Sequence, residues 1–258
     1  THAQNQAYLD LGLPTGSVFA ASAWAPALAG LSGGDIGAHL TLTSEWRAPR
    51  LRPLTAGPSL RDPAGYLWPT LEEVWQHADV AEVEAEFRAQ VDAVYALGID
   101  VTHIDTHMGA VMRPDIAEVY VRLAEEYRLP LMLPARLEYH ALPEAFREPL
   151  QRALGATRLP RVDVLMGYGH APEAMRDWYA GALRNLGPGV YHLIHHAALD
   201  TPEGRMLPDW DRRAADADAL RDGEVRALIA EFTPLTYREI RDALRAHWPE
   251  EGRVDGDA

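Results

Sequence analysis

Cysteine is absent from the chain, which excludes disulfides, thiolate metal sites and a cysteine nucleophile. Any metal centre must therefore be built from His, Asp or Glu. Lysine is missing as well, all 24 Lys/Arg positions being arginine, and with it go a Schiff-base lysine and the lysine of a phosphate-binding loop. A serine-nucleophile motif and a Gly-rich phosphate loop after a strand are likewise not found. No run of about 18 apolar residues occurs, and the N-terminal residues lack a basic segment followed by an apolar core. These features argue against a membrane span and give the expectation of a cytoplasmic chain without an export signal. Positive charge is in short supply: the net charge is -14 and the pI near 5.2, which argues against nucleic acid or an anionic membrane as partner.

What is present suffices for one large α/β domain, since 258 residues is a routine length for a barrel. No repeat or low-complexity linker divides the chain, so residues 1–258 are assigned to one domain. A homodimer is compatible with these features and not required by them.

In chain order, residues 1–11 read as a helix ended by Gly12 and Pro14. Residues 17–22 read as a buried strand, 25–31 as a short helix, and 35–43 as a second strand in which Gly37 permits close backbone approach. Residues 44–70 are rich in Pro, Gly and Arg without a sustained period, and long loops of this kind in compact domains are usually functional. A long helix is expected over 71–97, with Val83, Phe87, Val91 and Val94 on one face. Helices follow at 114–127, 142–154, 172–186, 210–231 and 236–247, and strands at 131–135, 162–166 and 190–194. Strands alternating with helices indicate a parallel sheet, closed as a barrel or doubly wound. Such a domain should begin with a strand, and none precedes the first helix.

Residues 101–108, VTHIDTHM, organise the rest. They start in β-branched residues and end among metal-capable side chains, and they read as a short buried strand reaching a loop. Alternation puts His103, Asp105 and His107 on one face. Four strand residues span roughly 13 Å, too far for both histidines to chelate one ion, so one ligand, His107, is expected here with partners from other strands. His39, His107, Arg136 and His196 all fall at C-terminal strand ends, which form a common rim in a parallel barrel. Two imidazoles and a carboxylate would leave open positions on a divalent ion for water and a substrate carbonyl.

The segments GAHLTL at 37–42 and THIDTH at 102–107, separated by a long amphipathic helix, resemble the signature segments of the YdjC-like carbohydrate deacetylases. The order of segments matches from about Asn5 to about Leu244. The resemblance implies a distorted, TIM-like (β/α) barrel with parallel strands and metal-dependent deacetylation of a small acetylated sugar. It implies a divalent ion, Zn or Mg, held by His39 and His107, and a general acid at His196. The family also carries a paired Asp-Asp on its first strand, just before the position matched by Asn5. The expectation is that this first strand and its carboxylates precede the supplied residues; a chain that has lost both, and binds sugar without turnover, is the competing reading. His107 is followed by Met108-Gly109-Ala110, and His196 by Ala197-Ala198 instead of Pro-Gly, which bears on the substrate more than on the reaction. Within this scheme Arg136 orients the substrate or a carboxylate, Asp105 fixes an imidazole through its ring N–H, and His103 and His195 are structural. Trp46, Tyr66 and Trp68 of the long loop are candidates for stacking on a sugar ring. A different amidohydrolase or esterase sharing the histidine pair is the remaining enzyme reading.

Overall fold

A computed structural model of the chain describes residues 1–29, 34–132, 142–166 and 170–248. The first helix, α1 (His2–Leu11), starts at a capping box in which Thr1 and Gln4 satisfy each other's backbone N–H groups, and it stops at Gly12, whose φ of 60° is the left-handed conformation glycine adopts at no steric cost. Strand β1 (Gly16–Val18) is shorter than the sequence suggests, and the expected helix after it is a single 3-10 turn, Ala25–Leu28, opened by a proline. Strand β2 (Ile36–Leu40) follows.

The helix expected over 71–97 is two, α2 (Leu71–His77) and α3 (Val80–Ala96). The break lies at Asp79, whose carboxylate accepts from the N–H groups of Ala81 and Glu82; an aspartate offered to orphan donors starts a new helix there. Strand β3 (Val101–Thr106) is buried at every position. Next come α4 (Pro114–Tyr127), α5 (Glu144–Gly155), β4 (Asp163–Met166), α6 (Met175–Arg184) and β5 (Tyr191–Ile194). The charged segment after β5 divides in the same way as the earlier one, into α7 (Trp210–Arg221) and α8 (Gly223–Ile229), because Asp222 caps the second. The last helix is α9 (Tyr237–Ala246).

The strands are parallel, in the order β1-β2-β3 in one sheet and β4-β5 in another. Leu131 adds a parallel bridge to Ile104 beyond β3. Among the described residues the strands form no closed ring, so the expected barrel stands as an α/β fold with two short parallel sheets; residues 133–141, which include most of the strand expected at 131–135, lie outside the described residues.

The main core packs α3, α4 and α5 on the three-stranded sheet. Phe87, Val91 and Val94 of α3 meet Val101 and Ile104 of β3 and Ile116, Tyr120 and Leu123 of α4, all fully buried. Each such side chain contributes about 1.5–3 kcal/mol by leaving water. A second cluster joins α6, α7 and α8 with Ala7 of α1, around Met175, Tyr179 and Leu220. Helix α9 ties down the N-terminal ends of the strands. Asp35, just before β2, accepts from the N–H groups of Tyr237 and Arg238; Asp100, just before β3, accepts from Arg241, which also reaches the Val101 carbonyl. The opposite, C-terminal ends are thereby left to the loops.

Candidate functional site

The register of β2 and β3 places His39 beside Asp105 and Leu40 beside Thr106. Because neighbouring parallel strands in register carry side chains to the same face, Gly37 and His39 on β2 face the same side as His103 and Asp105 on β3. At position 37 a Cβ would lie 2.5 Å from the His103 ring. Gly37 therefore leaves room for His103, in accord with the close approach expected from the sequence.

His39 and Asp105 form a charge-assisted pair, Nδ1 to Oδ1 at 2.8 Å. The Ser17 hydroxyl donates to the other oxygen, Oδ2, also at 2.8 Å. Burial alone would raise the Asp105 pKa, but the charge and hydrogen bond of His39 outweigh it and hold the group at about 2. An ionised carboxylate only accepts, so Nδ1 of His39 carries a hydrogen, and in the neutral ring the lone pair is on Nε2. This is the arrangement in which a carboxylate aims an imidazole at a metal.

His107 lies one residue past β3, and its N–H donates to the Leu40 carbonyl at 2.9 Å, extending the ladder. Met108 and Gly109 then turn the chain with φ of 53° and 75°. The His107 Nε2 is 3.0 Å from Oε2 of Glu45, and burial pushes its pKa down. A neutral His107 donates from Nε2 to Glu45 and keeps its lone pair on Nδ1. The two histidines are thus each fixed by one carboxylate. Their ring centroids are 5.4 Å apart, and the edge of Phe19 covers both, at 4.6 Å from His39 and 4.9 Å from His107. Two imidazoles sharing an ion at about 2.1 Å in tetrahedral geometry have centroids roughly 5 Å apart, so the pair fits a divalent ion by spacing and donor type. Among the described residues no group of three or more His, Asp and Glu side chains is placed to hold a metal; the fit concerns these two donors.

His196 follows β5, and its backbone N–H donates to Oδ2 of Asp216 on α7 at 2.8 Å. Its pKa is pushed down to about 3, by burial first and then by Arg213, with smaller contributions from His39 and His107. It thus lies within electrostatic reach of the histidine pair. Arg213 is itself buried, held by Asp209 at 2.8 Å, with its guanidinium carbon 5.2 Å from the Trp46 ring centroid. That contact occupies one face of Trp46. Trp68 is engaged elsewhere, donating from Nε1 to the Ser59 carbonyl at 2.8 Å and stacking on His77 at 4.4 Å. Tyr66 lies between Arg50 and Arg52. Arg136 lies outside the described residues.

His103 is buried, and His195 is half-buried with its Nδ1 enclosed. His103 stacks on Tyr237 at 4.0 Å and is 3.0 Å from the Thr102 hydroxyl, with burial driving its pKa to about 4. The Nδ1 of His195 is buried without a hydrogen-bond partner, and burial lowers this group to about 4 as well. Sequence reasoning missed Ser17, Phe19, Glu45 and Arg213. Glu45 carried a usable signal, an acid just past the second strand and adjacent to Trp46. Arg213 carried none, sitting in a helix crowded with charges.

A parallel α/β framework gathers two carboxylate-fixed histidines at the C-terminal ends of adjacent strands, two nitrogen donors at one end of the sheet. The YdjC-like protein family matches residues 6–231, and the chain belongs to that family. It is 54% identical over 244 residues to a carbohydrate deacetylase of Thermus thermophilus, covering 95% of this chain and 90% of that protein. It is 29% identical over 209 residues to a carbohydrate deacetylase of Geobacillus stearothermophilus, covering 80% and 76%. Its fold is similar to the crystal structure of a putative cellobiose-phosphate cleavage protein from Enterococcus faecalis V583, with a TM-score of 0.76 at 22% identity over 93% of this chain and 94% of that one. No helix among the described residues is long and apolar enough to cross a membrane.

Proposed function

We propose that the chain removes the acetyl group from an N-acetylated sugar or glycoconjugate, with a divalent metal held by His39 and His107. The observation that carries this reading is the pair of imidazoles at the ends of adjacent strands, each oriented by its own carboxylate, with rings 5.4 Å apart. The naming of its relatives as carbohydrate deacetylases supports the substrate class. Imidazole donors favour zinc over magnesium, which prefers oxygen.

A bound ion would supply an acidified water and a polarised acetyl carbonyl. The residues of the chain do the rest. Asp105 keeps the His39 proton on Nδ1, and Ser17 keeps Asp105 in place. Glu45 is the described carboxylate beside His107, positioned to hold or take a proton there. His196, with its pKa near 3, is neutral at pH 7, so it serves as the acid for the leaving amine only after taking up a proton during the reaction. Phe19 shields both imidazoles from solvent on one side, and Trp46, backed by Arg213, offers its remaining face to a sugar ring.

The test is acetate release from N-acetylglucosamine oligomers with added zinc or magnesium, beside a panel of simple amides and esters, together with calorimetric metal titration. Turnover of the sugars that His107→Ala abolishes is the expected result. Metal binding with no acetate released from any substrate would replace the proposal with a sugar-binding role, and faster turnover of simple esters or amides would replace it with another acyl substrate.

A further inference from the structure

We propose that Phe19 sets the size of the acyl group that the histidine site accepts, admitting the methyl of an acetyl group and turning away longer chains; this rests on the deacetylase reading and deepens it. Phe19 is the residue after β1, as His107 is the residue after β3. Alternation along β1 puts its side chain on the same face as Ser17, whose hydroxyl reaches Asp105. The register of β1 on β2 ends with Val18 beside Ala38, and continued by one residue it sets Phe19 level with His39. The ring accordingly stands against both imidazoles, its centroid 4.6 Å from that of His39 and 4.9 Å from that of His107, with the planes steeply inclined at 86° and 75°.

Core packing does not account for this placement. A phenylalanine ordinarily buries its ring in the core, as Phe87 does. Phe19 is half-buried and, among the described residues, joins neither hydrophobic cluster; its ring contacts there are with the two histidines. It is thus an apolar surface set directly against two nitrogen donors. A carbonyl oxygen brought to those donors carries its alkyl group with it, and this ring is the surface on which that group leaves water. Discrimination on such a surface follows volume: one methylene more or less is worth roughly 10- to 200-fold, and a methyl group fits beside a rigid ring where a propyl chain does not. Trp46, backed by Arg213, is left for the sugar, so the two aromatic side chains divide the substrate between them.

Two measurements decide it: rates on glucosamine oligomers bearing N-acetyl, N-propionyl or N-butyryl groups, and calorimetric titration of the zinc-loaded protein with acetohydroxamate and butyrohydroxamate, chelating probes that carry the same acyl chains. The parent should favour acetyl over butyryl by roughly tenfold or more in kcat/KM and bind acetohydroxamate the more tightly. Phe19→Ala should raise the butyryl-to-acetyl ratio by roughly tenfold or more in both measurements, with zinc affinity close to that of the parent. Phe19→Leu should fall between, and because it keeps an apolar side chain it reads out even if Phe19→Ala unfolds. Trp46→Ala should raise KM for all the sugars alike and leave the ratio as it is. A ratio that is the same in the parent and both Phe19 variants, a shift that Trp46→Ala produces equally, or no hydroxamate binding at all overturns Phe19 as the acyl wall, and release of acetate by the parent would still uphold the deacetylase reading. No turnover of any acylated sugar overturns the deacetylase reading instead, and the hydroxamate ratios then decide on Phe19 alone.

Discussion

Asp105 accepts from His39 Nδ1 and from the Ser17 hydroxyl, each at 2.8 Å, one on either carboxylate oxygen. Three strands therefore meet at a single side chain, and the direction in which His39 presents Nε2 is set by residues 22 and 66 positions away in sequence.

Replacing Asp105 with Asn should remove that direction without emptying the space. The amide can present its NH2 to His39 and favour the wrong tautomer, placing a hydrogen where the lone pair is needed. Partners of this kind typically account for about 10- to 100-fold in metal affinity. The expected outcome is a zinc affinity about 10- to 100-fold weaker by calorimetry, with a thermal midpoint near that of the parent when no metal is added. Unchanged zinc affinity would remove Asp105 from the site.

Gly37 and His103 should behave as a coupled pair. The Cβ of Gly37→Ala would overlap the His103 ring at 2.5 Å, and His103 cannot retreat because Tyr237 stacks on it at 4.0 Å. Overpacking of this kind costs roughly 1–3 kcal/mol. Adding His103→Ala to Gly37→Ala should restore part of the loss, so the two substitutions should be non-additive in urea denaturation. Strict additivity would show that position 37 has space the structure does not.

How much of this is legible in the sequence depends on whether the determinant is local. Helix α4 reads as 114–127 and spans Pro114–Tyr127, because a proline start and an apolar period are written in consecutive residues. The helices broken at Asp79 and Asp222 read as continuous, although an aspartate ahead of a new helical turn is a local signal that marks the break. His39, Asp105 and His107 stand out from motif and alternation, and the structure brings them together. The expected separation of His103 from His107 along the strand also explains why the former is core and the latter lies at the strand's end. Ser17 and Glu45 escape a local reading because their partners lie 88 and 62 positions away, and Arg213 because it meets Trp46 from a helix near the other end of the chain. Barrel closure is likewise a long-range matter that alternation of elements does not decide.

Stability should fall on mild acidification. His103 and His195 have folded-state pKa values lowered by burial to about 4, against about 6.5 in an unfolded chain. The unfolded state therefore binds more protons between these limits, and stability is full above about pH 6.5 and declines as pH falls toward 4. Each group contributes roughly 3 kcal/mol across that window. The urea midpoint should drop steadily from pH 7 to pH 5, and His195→Gln should flatten the decline. Asp105, held near 2, stabilises throughout this window, and its contribution is lost only as pH falls below about 4. A midpoint that is level from pH 7 to pH 5 would rule out neutral buried imidazoles.

The long loop that carries Glu45 should depend on one buried carboxylate of α3. Glu86 accepts from Leu54 N and Gln90 Nε2 on one oxygen, at 2.9 and 2.8 Å, and from the Thr55 N–H and hydroxyl on the other, at 2.8 and 2.7 Å. Gln90 in turn bonds the N–H and carbonyl of Thr41, just past β2, at 2.9 and 2.8 Å. The chain of contacts thus links the strand that bears His39 to the loop. Glu86→Gln turns one acceptor into a donor facing N–H groups, leaving buried donors unsatisfied at a cost of about 1–3 kcal/mol each. Global stability should fall by about that amount, and amide exchange at Leu54 and Thr55 should accelerate more than exchange in the α3 core, since this stretch of the loop is held by these bonds while Leu54 itself is exposed. Glu82→Gln provides the comparison: among the described residues its carboxylate serves Ser59 alone, through N–H and hydroxyl, so its effect should be smaller and confined to the neighbourhood of Ser59. If both variants lose the same stability and the exchange at Leu54 and Thr55 stays slow, the loop is anchored by the packing of Leu60 and Leu67, both fully buried, and the Glu86 network is a consequence of that packing instead of its cause.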